Sequence, residues 1–231
     1  LAEISYSEAG LPILGESRRI AGGPECAVFQ PEFSSDGKTL FYVSDESGFG
    51  EFYSFNIEGG TSRQITSDKK EHAMPNWVQE MRSYAVGADG NSLYCAVNEL
   101  GVCRLQKIEC ETGATTLIDQ LADYTDVIQV CSDTLSNSIA LIGSSPKIST
   151  RVVYFDLVKS EAMVMARSTG EMLSEKNLAA ATPITWGTEK KLAHGMFYEP
   201  TSESFESGGL PPLLVLVHGG PTSQSRAVWD Y

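Results

Sequence analysis

The chain has 231 residues, long enough for one large or two small domains, each with a buried core. Its 42% hydrophobic and 20% charged residues match an ordinary folded protein rather than a disordered or fibrous one, and no run of about 18 apolar residues offers a membrane span. Lys and Arg number 17 against 30 Asp and Glu, a formal net charge of −13, which leaves no basic stripe for phosphates and excludes nucleic acid and anionic membranes as partners.

The first ten residues, "LAEISYSEAG", have no basic stretch followed by a long apolar one, so they do not read as a signal peptide. The expectation is a chain that begins, and at "AVWDY" ends, inside a longer protein. Its compartment reads as cytoplasmic. Cys26, Cys95, Cys103, Cys110 and Cys131 are odd in number and contain no C-x-x-C pair, so they are expected to be reduced, partly buried thiols.

A repeat organises the first three quarters of the chain. Its clearest copy is "FSSDGKTLFYVSDESGFGEFYSFNIEGGTSRQIT", from Phe33 to Thr66. Ser34-Ser35-Asp36-Gly37 is a turn in which Asp bonds its own backbone and Gly takes positive φ. The β-branched and aromatic run Thr39 to Ser44 follows, then a turn at Ser47-Gly48. Next comes an alternation that sets Phe52, Ser54 and Asn56 against Tyr53, Phe55 and Ile57, which is hairpin grammar. Glu58-Gly59-Gly60 turns the chain into Arg63 to Thr66, a more polar outer strand.

Two further copies follow. In one, Ala88-Asp89-Gly90-Asn91 precedes Leu93 to Val97, Val102 to Cys110, the turn Glu111-Thr112-Gly113, and Thr115 to Ile118. The other has Ser132-Asp133, Ile139 to Ile142, Arg151 to Leu157 and Ala162 to Ala166. Asp36 and Asp89 stand 53 residues apart, Asp89 and Asp133 44. Arg18-Arg19-Ile20 stands 45 residues before Arg63-Gln64-Ile65, which makes residues 1–22 the outer two strands of a preceding copy. A period of about 45–50 residues with about four short strands each is that of a β-propeller blade. A β-sandwich of some fourteen strands shares the composition but not the period. The expectation is three blades over residues 24–167, with part of a fourth before them.

The rhythm breaks at "STGEMLSEKNLAAA", Ser168 to Ala181, which reads as a connector. Thr182 to Trp186 and Leu192 to Tyr198 are strand-like, separated by Gly187-Thr188-Glu189. After a polar loop, Leu213-Leu214-Val215-Leu216-Val217 is apolar without alternation, as in a strand buried on both faces of a helix-covered sheet. It leads into His218-Gly219-Gly220-Pro221. In α/β-hydrolases a Gly-rich turn after the third strand supplies one backbone N–H of the oxyanion hole. Glycine suits that place because a donor must come within about 3 Å of the oxyanion, where a Cβ would intrude.

The stretches "FQPEFSSDGKTLFYVSDESGFGEFYSFNIEGG", "PNWVQEMRSYAV" and "PPLLVLVHGGPTSQ" resemble consecutive parts of the prolyl oligopeptidase family of serine peptidases, in the acylaminoacyl peptidase or dipeptidyl aminopeptidase branch. The resemblance implies a mainly β chain. Residues 1–167 would be the C-terminal blades of a propeller, 168–181 a connector, and 182–231 the start of an incomplete α/β-hydrolase domain. It also implies a parent enzyme that hydrolyses short peptides with a Ser-Asp-His triad and no cofactor. Its partner would be the peptide substrate, and a homo-oligomer stays open.

By position, the family match assigns an oxyanion N–H to Gly219 or Gly220, with Gly220 preferred and with His218 and Pro221 shaping the loop. The nucleophile elbow G-x-S-x-G is absent from this sequence, so His218 is not the triad base and the chain itself is expected to be inactive. His72 and His194 show no Cys, His or carboxylate at familiar ligand spacing, so no metal is expected. Glu71 and Glu80 are the candidates for an acidic cavity lining that would attract a peptide amino terminus. The competing reading is a self-contained propeller-type binding module without catalysis.

Overall fold

The structure is a computed structural model that describes residues 1–74, 78–133, 135–170, 173–189, 191–206, 208–220 and 223–230. It opens with a two-stranded antiparallel sheet of β1 (Ile4–Tyr6) and β2 (Pro12–Leu14). Three four-stranded antiparallel meanders follow. The first is β3 (Val28–Phe33), β4 (Thr39–Ser44), β5 (Glu51–Asn56) and β6 (Thr61–Gln64). The second is β7 (Tyr84–Val86), β8 (Ser92–Glu99), β9 (Val102–Glu109) and β10 (Thr115–Leu117). The third is β11 (Asp126–Asp133), β12 (Ser138–Ser145), β13 (Ile148–Asp156) and β14 (Glu161–Arg167). A hairpin of β15 (Ala181–Thr188) and β16 (Lys191–Tyr198) closes the regular structure. One up-and-down sheet per repeat is the construction of propeller blades.

Side-chain parity explains where the core sits, because alternate residues of a strand face opposite sides of its sheet. Phe41 and Val43 of β4 point toward the second sheet and pack with Phe52, Tyr84, Leu93 and Ile108. Leu40 and Tyr42, one residue out of phase, join Tyr53 and Phe55 on the opposite face. A further cluster sets Tyr94 and Leu105 of the second sheet against Val127, Leu141 and Phe155 of the third. Two of the three apolar clusters therefore lie between neighbouring sheets, and the third covers the outer face of the first. Each fully buried Leu or Phe side chain contributes about 1.5–3 kcal/mol.

The hairpin turns between first and second strands work as their Asp residues dictate. Asp36 accepts from the Lys38 N–H at 3.0 Å, Asp89 from Asn91 at 2.9 Å and Asp133 from Leu135 at 2.9 Å. The first strands β3 and β11 also break register in parallel fashion, between Phe29 and Glu32 and between Ile128 and Cys131. Gln30 and Gln129 sit at these breaks with φ of 40° and 56°, as bulge residues do. All five cysteines are free thiols, and burial pushes Cys103 and Cys110 up to about 12.

Two expectations need correction. Arg18 to Ile20 is not an outer strand: the Arg18 guanidinium lies over the Phe55 ring at 5.4 Å, and Ile20 packs on the outer face of the first sheet. That covering contact replaces a ladder. The described residues also form no α/β-hydrolase domain. Residues 213–217 have no ladder partners among the described residues, with Leu216 and Val217 83% and 85% exposed. A parallel strand needs neighbours and covering helices, and the helical pieces among the described residues are the short turns Asp119–Leu121 and Glu175–Asn177.

Candidate functional site at the linker face

An up-and-down meander sends its hairpins alternately to two faces. One face collects the Asp turns. The other collects the β4–β5, β8–β9 and β12–β13 loops together with residues 65–74 and 118–125, which follow the last strands of the first two sheets. This linker face holds the groups with unspent chemistry.

Residues 223–230, just beyond the Gly-rich turn, are fastened to this face. Ala227 is buried, its N–H donates to Gly101 O at 2.9 Å, and its carbonyl accepts from Thr125 Oγ1 at 2.6 Å. Arg226 Nη1 donates to Asp126 Oδ1 at 2.7 Å, and Asn98 Nδ2 to Gln224 Oε1 at 2.7 Å. Gly101 permits the approach: its φ is +81°, and a Cβ there would stand 2.6 Å from Ser225 O.

Gly219 and Gly220 therefore lie a few residues from a docked anchor. Gly220 has φ of +74°, the left-handed region open to glycine, and Gly219 has open space where a Cβ would stand. Neither backbone N–H donates to an acceptor among the described residues. His218 is exposed, and its Nδ1–H donates to the adjacent Gly219 O at 3.3 Å, so its ring leans on the turn. Pro221 lies outside the described residues.

A cavity of about 290 Å3 opens beside the anchor, between the β8–β9 hairpin and β15. Leu100, Val102, Arg104, Thr125 and Pro183 are among its walls. Arg104 Nε is buried there and makes no hydrogen bond among the described residues. The expected acidic lining is not assembled from Glu71 and Glu80. Glu71 is bridged to Asn98 through the backbone, and its carboxylate accepts from its own loop at Ala73 N. Glu80 is exposed with φ of 63°.

Between the first strands a polar seam joins the sheets. Tyr84 Oη donates to Gln30 O at 2.6 Å, and Gln30 Nε2 returns a bond to Tyr84 O at 2.7 Å. Arg82 pairs with Glu32. Burial raises the Glu32 carboxyl, with the Gln30 hydrogen bond and the Arg82 charge opposing it.

One cluster escapes reading by spacing alone. Glu51, Asp68 and His72 each present a ligand atom within 4.8 Å of the others. Asp68 precedes His72 by four residues, a signal on its own too common to weigh, and Glu51 comes from the start of β5. His194, by contrast, sits on the exposed β15–β16 hairpin with Nδ1 2.9 Å from Thr185 Oγ1.

Solved structures similar to this chain include two puromycin-hydrolysing proteins. Puromycin hydrolase matches 97% of the chain at a TM-score of 0.80 and 26% identity. A Mycobacterium tuberculosis puromycin-hydrolyzing peptidase matches 96% at 0.80 and 25%. The chain spans 33% of each of those two chains. TolB from Acinetobacter baumannii shares the fold at a TM-score of 0.52 and 12% identity, over 87% of this chain and 46% of that one. No protein-family model and no curated protein matches the chain.

Proposed function

We propose that this chain is the propeller and junction portion of a serine peptidase of the prolyl oligopeptidase type, acting on short peptides or aminoacyl amides. In this reading residues 1–167 are propeller blades, 168–181 a connector, and 182–231 the entry into a hydrolase domain. The observation that carries it is the similarity to puromycin hydrolase and to a puromycin-hydrolyzing peptidase over 97% and 96% of the chain. The anchoring of residues 223–230 on the linker face supports the same reading, because it holds the Gly219-Gly220 turn beside the propeller.

The chemistry follows from that placement. Attack on an amide carbonyl builds negative charge on oxygen, and a free N–H at a glycine turn stabilises it without reorganising. Gly220 N–H is the assigned donor. The nucleophile, acid and base lie outside this sequence, so the 231-residue chain alone hydrolyses nothing. The acylaminoacyl- or dipeptidyl-peptidase-like specificity is part of the proposal.

The test is the coding sequence beyond Tyr231 together with the full-length product. A downstream G-x-S-x-G, labelling by a fluorophosphonate, and turnover of puromycin or an acyl-peptide amide are the expected results. A full-length protein that lacks the elbow, or that binds peptides without labelling or turnover, would make the chain a binding module instead.

A further inference from the structure

We infer that Glu51, Asp68 and His72 form a binding site for a divalent transition-metal ion that clips the segment 65–74 to the first sheet. His72 is fully buried. Its Nδ1 lies 2.9 Å from Gly50 O, and because a carbonyl only accepts, Nδ1 must carry the proton. In the neutral ring Nε2 is then a lone pair. That atom is buried, has no hydrogen-bond partner among the described residues, and faces Asp68 Oδ1 at 3.6 Å.

A buried lone pair facing a partly exposed carboxylate oxygen leaves a gap that a cation entering from the Asp68 side can fill. A separation of 3.6 Å is long for an N–H···O bond. It is close to the spacing of two ligands of one ion, since donors about 2.0–2.1 Å from zinc in tetrahedral array lie about 3.4 Å apart. The imidazole already shows the supporting bond that metal-bound histidines use, its other nitrogen donating to a backbone carbonyl.

Charge points the same way. The Glu51 carboxylate is 2% exposed, its Oε2 lies 3.7 Å from the Nδ1 side of the His72 ring, and its only ion-pair partner among the described residues is His72. Thr66 Oγ1 donates to Glu51 Oε2 at 2.5 Å and the Lys69 N–H to Oε1 at 2.9 Å, which orient the group without neutralising it. Asp68 Oδ1 also accepts weakly from the Lys70 N–H at 3.4 Å. No lysine or arginine side chain pairs with either carboxylate among the described residues. Two carboxylates, a neutral imidazole and one divalent cation make a neutral unit, buried at Glu51 and His72 and open at Asp68. One nitrogen and two oxygens suit zinc better than calcium. The Asp68 side chain, 30% exposed, is the entry side.

Titration of the chelator-treated protein with zinc chloride, followed by calorimetry and metal counting, tests the site. One equivalent should bind, at least tenfold more weakly in Asp68→Asn and in His72→Gln. Asp68→Asn is the safer variant, because its side chain is partly exposed and the fold should survive. Cobalt should substitute without a thiolate charge-transfer band, which separates this site from the free cysteines. Four results would overturn the inference: no binding at micromolar zinc, unchanged affinity in Asp68→Asn, a cobalt–thiolate band, or calcium preferred over zinc. Long-range nitrogen–proton spectra showing Nε2 of His72 protonated with and without zinc would replace the ion by an imidazolium.

Discussion

Arg226 Nη1 and Asp126 Oδ1 lie 2.7 Å apart across 100 residues of chain, and this pair ties the segment after the Gly-rich turn to the first residue of β11. The Asp126 side chain is 7% exposed. Burial raises its carboxyl above the ordinary range, with the Arg226 charge opposing the rise.

Arg226→Ala should therefore leave a buried carboxylate unpaired and cost about 1–2 kcal/mol, less than for a fully buried pair because Arg226 is partly exposed. A carboxyl raised in the folded state favours folding below its unfolded pKa, and that gain is lost as pH rises through the folded value. The deficit of the variant should then be largest near neutrality and shrink below about pH 4. Urea titrations at pH 7 and pH 4 read this out, and amide exchange over residues 223–230 should accelerate.

Tyr84→Phe should weaken the joint between the first and second sheets. The phenol hydroxyl is shared between Gln30 O at 2.6 Å and Phe41 O at 3.1 Å, and its residue is fully buried. Removing the donor takes a hydrogen bond from the buried Phe41 carbonyl and the half-buried Gln30 carbonyl while leaving the ring packing intact, at a cost of about 1–3 kcal/mol. A denaturation midpoint equal to that of the unaltered protein would show that the ring alone matters.

The Asp turns predict an acid limb. A side-chain hydrogen bond from Ser34 lowers Asp36, one from Ser136 lowers Asp133, and the Lys159 N–H lowers Asp156. Carboxyls depressed by folding stabilise above their unfolded pKa, and the contribution is lost as pH falls through the folded value. Stability should decline below about pH 4, and replacing all three by Asn should flatten that decline. Equilibrium unfolding between pH 6 and pH 2.5 compares the slopes.

On the proposed function, Gly220→Ala in the full-length protein should lower kcat by about 10²–10³ with KM much less affected, because the donor would serve charge present only in the transition state. Its φ of +74° means the substitution also strains the turn. Active-site titration counts only competent molecules and separates the two effects. Unchanged kcat per titrated site would move the assignment to Gly219.

Legibility in the sequence followed local chemistry. The Asp-Gly turns and the strands after them are readable because Asp36 and Asp89 act on residues two or three away. The first strands β3, β7 and β11 are not readable. β7 has three residues, and positive φ at Gln30 and Gln129 interrupts the alternation of the other two. The 213–217 run is apolar enough for a buried strand, but a ladder requires partners that composition cannot supply. The Gly-rich turn was visible as a motif. The Glu51–Asp68–His72 cluster was not, because only the pairing of β5 with the linker brings Glu51 to the other two.

Because two of the three apolar clusters lie between adjacent sheets, each sheet leans on its neighbours much as books do on a shelf. The middle sheet is clamped on both sides, while Met163 and Met165 of β14 remain 58% and 60% exposed at one end. Such a row loses order by unzipping from its ends, because removing an end sheet breaks one interface and removing the middle one breaks two. Protection of amide protons should accordingly grade inward, with β8 and β9 the last to exchange.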